Sequence, residues 1–205
     1  METKNVSFDS VAALIRELTP IEQLALVNSD NRPKIKEFLS GIKLIITLAG
    51  TVTVRPDEQF NKYEFFKVNT NGAPVKIAHV TDKFKQYLLY NFDDCPPKSR
   101  TTFSYYDINK DSLDLSIIGK LGGDAIAKPV LADIAALMQK QANSENGPFL
   151  TNGDANIFFV NGIGGARRIV EVSWFKELCG WFINADLIWS EYDCGSHPRV
   201  FCRIF

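Results

Sequence analysis

Several short stretches of the chain bring together residue types that could do chemistry. In the densest, Cys194-Gly195-Ser196-His197 is followed by Cys202, with Cys179 a little upstream. Thiolate and imidazole are the ligands that zinc prefers, and a Cys-x-x-His step can grip one ion from a turn. Against a metal centre, Cys202 alternates with Val200 and Ile204 on one face of an expected strand, where a thiol behaves as a small hydrophobe. Core and loop roles for Cys194, His197 and Cys202 therefore outweigh metal ligation, with a zinc-stabilised interaction module kept as an alternative.

The same segment is the best place to look for catalysis. Nucleophile–base chemistry needs a base that titrates near neutrality, and His79 and His197 are the two histidines. His197, Cys194, Glu191 and Asp193 could assemble a hydrolase-like site around the 189–199 loop. No serine sits in a G-x-S-x-G elbow, and Asp93–Asp94 and Glu191 with Asp193 fall in polar loops where a solvated surface is the simpler reading. The balance leans away from an enzyme.

Two other patterns imitate known loops. Asp107-Ile108-Asn109-Lys110-Asp111 opens like a calcium loop, but Ser112 stands where the sharp turn wants glycine and Ile118 where a bidentate Glu is required. Asn161-Gly162-Ile163-Gly164-Gly165 looks like a phosphate-cradling loop. That mechanism needs a helix after the glycines, and Arg168–Trp174 alternates as a strand does, which makes the glycines a hairpin turn. Gly119-Lys120 lacks the remaining P-loop residues. No cofactor is expected. The residues that best fit a binding surface are Trp181 and Trp189, with His197 and Arg199 beside the same polar loop, although tryptophans at alternate strand positions are more often core.

Composition narrows the partners. Lys plus Arg is 23 and Asp plus Glu is 24, and the basic residues are scattered, so there is no nucleic-acid footprint. The apolar run Ile42–Ala49 contains Lys43 and is far too short to span a bilayer, and METKNVSFDS has no apolar leader core. Four cysteines without a C-x-x-C pair suit a reducing compartment. The expectation is a soluble cytoplasmic protein, with protein binding or self-association the class of partner.

The elements that must position these residues follow from periodicity. Val11, Leu14, Ile15 and Leu18 mark a first helix, Thr19-Pro20-Ile21-Glu22 caps a second, and Pro33–Ser40 forms a third, ended by Gly41. Ile42–Ala49 and Thr51–Val54, joined at Gly50, predict a strand pair or one bent strand, and Tyr63–Val68 a further strand. A helix starts near Thr81 and ends before Cys95-Pro96-Pro97. Thr101–Tyr106 reads as a strand, Ser112–Leu121 as helix or strand, and Pro129–Gln141 as the clearest helix, with Val130, Ile134, Leu137 and Met138 on one side.

After the polar loop 143–156, the strands Asn156–Val160, Arg168–Trp174, Gly180–Trp189 and Arg199–Phe205 predict an antiparallel meander. The fold class expected is α+β: N-terminal helices (1–41), a central mixed region and a C-terminal antiparallel β meander (156–205). Residues 42–205 form the body, and the whole is one folding unit.

From Leu121-Gly122-Gly123 through Leu150-Thr151-Asn152-Gly153-Asp154-Ala155-Asn156-Ile157-Phe158-Phe159-Val160, Trp174 and Gly180-Trp181-Phe182-Ile183-Asn184-Ala185 to Arg199-Val200-Phe201-Cys202-Arg203, the chain resembles a group of uncharacterised bacterial proteins ending close to R-V-F-S-R. The resemblance implies a bacterial origin and a shared C-terminal β module. It implies no activity. The serine of that ending is Cys202 here, which again speaks against a ligand role. The functional expectation is a non-enzymatic binding or assembly protein.

Overall fold

The computed structural model describes residues 46–69, 71–90, 100–109, 112–114, 121, 129–161, 167–188, 191–193 and 197–204, with backbone alone for 112–114, 161 and 191–193. The chain divides into two compact units, Met1–Thr47 and Leu48–Phe205, and the description concerns the second. The three helices expected within 1–41 lie outside the described residues.

The body is one seven-stranded mixed sheet. In chain order its strands are β1 (Ile46–Val54), β2 (Ile77–Val80), β3 (Thr101–Ile108), β5 (Asn156–Asn161), β6 (Arg167–Phe175), β7 (Gly180–Leu187) and β9 (Arg199–Ile204). Their spatial order is β1-β3-β9-β5-β6-β7-β2, and β4 (Ser112–Asp114) pairs separately with β8 (Glu191–Asp193). Helical structure is confined to α1 (Lys62–Phe65), α2 (Asp82–Phe84, continued by a π-turn over Lys85–Leu89) and α3 (Leu131–Lys140).

This corrects the α+β expectation, because the described chain is dominated by β-sheet with three short helical pieces. The meander is correct for β5, β6 and β7, which pair antiparallel in succession. It fails at the last strand. β9 inserts between β3 and β5 and runs parallel to β5, with Ile157 opposite Val200 and Phe158 opposite Phe201. A parallel neighbour requires a crossover, and local alternation carries no information about one.

Tyr63–Val68 is also corrected. Asn61 accepts from the Tyr63 and Glu64 amides and starts a helical turn there, so the aromatic run Tyr63-Glu64-Phe65-Phe66 coils instead of extending. The helix near Thr81 and the strand at Thr101 stand as expected, Thr81 capping α2 through its hydroxyl.

One face of the sheet carries the main core. Phe103, Phe158, Phe201, Val170, Val172, Ile183 and Trp181 are all buried there, under α3 and the residues after it. Nearly all of α3 is buried. Val130 has no side-chain acceptor, so the helix start relies on Asp133, whose Oδ2 accepts the Val130 amide at 3.2 Å. On the opposite face Ile157, Phe159, Ile169, Val200 and Cys202 are buried as well. The sheet centre is therefore apolar on both sides, which is why β5 reads as an unbroken hydrophobic run.

Candidate functional site

The side chains that sequence chemistry singles out are spent on holding one loop. Trp181 is fully buried, edge-on to Trp174 at 5.1 Å, and its indole N–H donates to the Ala142 carbonyl at 3.3 Å. Arg199 donates from Nε to Asp107 Oδ1 at 2.7 Å, from Nη2 to Asp107 Oδ2 at 3.3 Å and from Nη1 to the Pro148 carbonyl at 2.7 Å. Its guanidinium also lies over the Tyr105 ring, 4.9 Å from the centroid. A planar fork placed this way has its donors engaged.

Two buried amides complete the latch. Gln141 pairs with both backbone groups of Phe149, and Asn156 with both of Leu150 plus the Val172 carbonyl. Together they pin residues 142–155 so that Phe149 enters the core edge-on to Phe158, Trp181 and Phe201. Sequence reading missed Gln141 and Asn156 and weighed Asp107 only as the opening of a calcium-like loop. An Asn opening an apolar strand, where its amide must be satisfied internally, was the one available signal.

The other candidates do not converge. Cys202 is buried on the face away from Arg199, and burial pushes its thiol up to about 12, so at neutral pH it is no thiolate. His197 is exposed, in a left-handed backbone conformation with φ 47°. Cys179 is exposed at the β6–β7 turn. Cys194 and Trp189 lie outside the described residues, as do Asp93–Asp94, Gly119-Lys120 and the glycine turn 162–165. No group of three His, Cys, Asp or Glu side chains among the described residues is placed to hold a metal ion.

Asp133 is the described carboxyl whose pKa is raised, whereas those of Asp82 and Glu145 are lowered by their hydrogen-bond partners. Asp133 is fully buried, and burial raises its pKa against the opposing pull of the Thr101 hydroxyl, the Val130 amide and the Arg203 charge; Oδ1 and the Thr101 hydroxyl lie buried together without a well-formed hydrogen bond. Sealed from solvent, Asp133 has no route to a substrate. Arg168 likewise holds two buried N–H groups without acceptors, its guanidinium over the Tyr87 ring at 4.6 Å.

Two open features lie at the sheet margins. A cleft of about 480 Å³ between Trp174, Phe175, Lys176 and Glu177 on one side and Ser144 and Thr151–Gly153 on the other is shallow and mixed in polarity. Beside it Phe175 is 39% exposed and tilts against Phe182 at 5.2 Å, and Phe182 stacks on His79 at 5.1 Å.

The larger feature is β1. Its nine residues, ITLAGTVTV, contain no charge and no proline and form one margin of the sheet, bonded on one side to β3. Thr47, Ala49, Thr51 and Thr53 are exposed and Leu48 is 58% exposed. Among the described residues nothing hydrogen-bonds to its outer backbone. A margin of this length and composition is a template for an added strand.

No family model, curated protein or solved structure matches the chain. No described helix is long and apolar enough to cross a membrane.

Proposed function

We propose that this chain is a non-enzymatic assembly protein that works by strand addition at the outer edge of β1. The observation that carries the reading is the nine-residue, charge-free margin Ile46–Val54, open on its outer side among the described residues. The state of the chemically capable side chains supports it: Trp181 and Arg199 are engaged in the loop latch, and Cys202 is sealed in the sheet. Backbone pairing supplies affinity in strand addition, and the side chains at alternate positions supply selectivity.

The test is a titration of the isotope-labelled protein, held at low concentration, with a generic Thr-Val nonapeptide carrying a lysine tail for solubility. Amide signals of Leu48–Val54 shift as the peptide adds to the sheet, while those of β5 and β6 stay in place. Absence of any change at Leu48–Val54 at millimolar peptide overturns the reading.

A further inference from the structure

We infer that the strand received by β1 is the β1 of a second copy, paired antiparallel about a two-fold axis through Gly50. The inference rests on the strand-addition reading and adds the partner and the register.

Gly50 is the middle residue of Ile46–Val54. An antiparallel pair centred on it sets Ile46 against Val54 of the second copy and Leu48 against Val52. On the other face it sets Thr47 against Thr53 and Ala49 against Thr51. Apolar residues meet apolar residues on the face that continues the core, where Val54 is buried and Val52 packs on the core cluster. Hydroxyl and methyl groups meet on the opposite face. Cross-strand pairs of these types are favourable.

Three further observations favour a second copy over a foreign strand. The two-fold brings the two copies of the strand's central residues close together, which like charges there do not tolerate, and β1 has no charge. The chain as a whole carries a formal net charge of only −1, so long-range repulsion between copies is small. The isologous pair also leaves no β1 edge exposed, because the same surface is used on both partners and the sheet becomes continuous through the dimer. It covers Leu48, otherwise a large exposed hydrophobe at the margin.

Gly50 itself is fixed from within the chain. A Cβ at this position would run into the Tyr105 hydroxyl. Tyr105 in turn is held between the Arg199 guanidinium and Phe201, at 4.9 and 5.5 Å. The small residue at the proposed axis thus has a structural cause within the chain.

A strand of nine residues spans about 30 Å. An interface of one strand per partner is at the small end of stable contacts, so a dimer in the micromolar range is expected. The experiment is sedimentation velocity from about 1 to about 100 µM on three full-length proteins. These are the unaltered chain, the pair Ala49→Lys with Thr51→Lys, and the pair Ala49→Lys with Thr51→Glu. Both positions are exposed, and a thermal melt confirms that each variant folds.

In the proposed register residue 49 faces residue 51 of the other copy. The double-lysine protein therefore opposes like charges twice and associates at least about tenfold more weakly, while the lysine–glutamate protein forms two opposite-charge pairs and associates about threefold more tightly. Equal weakening of both variants overturns the two-fold register. A monomer at every concentration overturns the second copy as partner, while the nonapeptide titration still reports on strand addition itself. Dimers unchanged by either variant place the interface elsewhere and overturn the second copy at β1, and the nonapeptide titration again decides strand addition by itself.

Discussion

The two margins of the same sheet are built in opposite ways. β2 is four residues long, its register against β7 shifts between Ile77 and His79, and the chain leaves it directly into α2. Its outer side is bridged by Asn69, which exchanges two backbone hydrogen bonds with Ile77 at 2.9 and 3.0 Å. β1 is nine residues long and uncharged, and no described residue covers its outer edge. Shortness, a bulge and a covering segment are the means by which sheet margins are kept from pairing with other chains. One margin has all three and, among the described residues, the other has none, and that contrast is what the strand-addition proposal builds on.

Breaking the guarded margin has the largest expected effect. Gly180 lets β2 lie close to β7: a Cβ there would stand 2.8 Å from the Ala78 Cβ and 3.0 Å from the Ala78 backbone nitrogen. Backbone cannot swing aside as a side-chain tip can, so Gly180→Ala destabilises by about 2–3 kcal/mol in urea unfolding and frees β2 from β7. The variant exposes a second pairing edge, and concentration-dependent aggregation accompanies the loss.

Guarding the open margin comes next. The double-lysine variant at positions 49 and 51 removes about 1.4 kcal/mol of association free energy, the equivalent of tenfold, with the melting temperature of the dilute protein unchanged. Between these margins Gly50→Ala costs about 1 kcal/mol of stability, because the Tyr105 ring has to yield but is not backbone. Comparing Gly50→Ala with Gly180→Ala sharpens the contrast, since the same added methyl meets a side chain at one margin and main chain at the other.

The smallest effect concerns pH. Burial raises the Asp133 pKa in the folded state. The folded protein then holds its proton more tightly than the unfolded chain, and stability declines as pH rises from the ordinary aspartate range through the raised folded value. Asp133→Asn keeps an acceptor for the Val130 amide and gives the Thr101 hydroxyl a donor. It flattens that decline and stabilises by about 1 kcal/mol at pH 7, measured by melts across pH 4–8.

How much of this was legible beforehand depends on whether the cause was local. α3, β3, β5, β6 and β7 declared themselves through periodicity and apolar patterning, because burial is written into neighbouring residues. The place of β9 beside β5 was not, since a parallel pairing joins segments with no shared local signal. Tyr63–Val68 misled because β-prone aromatics at 63, 65 and 66 were outweighed by one capping side chain at Asn61.

For the site, Trp181 and Arg199 read as a binding surface, and in the structure both hydrogen-bond to this chain's own loop, which composition cannot distinguish from a ligand. The margin at β1 was readable as a strand from its Thr and Val content. Its lack of charge was visible too, and only the strand order showed that it lay at the edge.

Hydrogen exchange at the outward-facing amides of β1 tests the central claim most directly, followed at about 1 and about 100 µM protein. The account predicts fast exchange at alternate amides between Leu48 and Val54 in the dilute sample and at least about tenfold slower exchange in the concentrated one, with Ala78 and His79 on β2 the same in both. Amides of β1 that are already protected at the lowest concentration, or equally fast at both, contradict it.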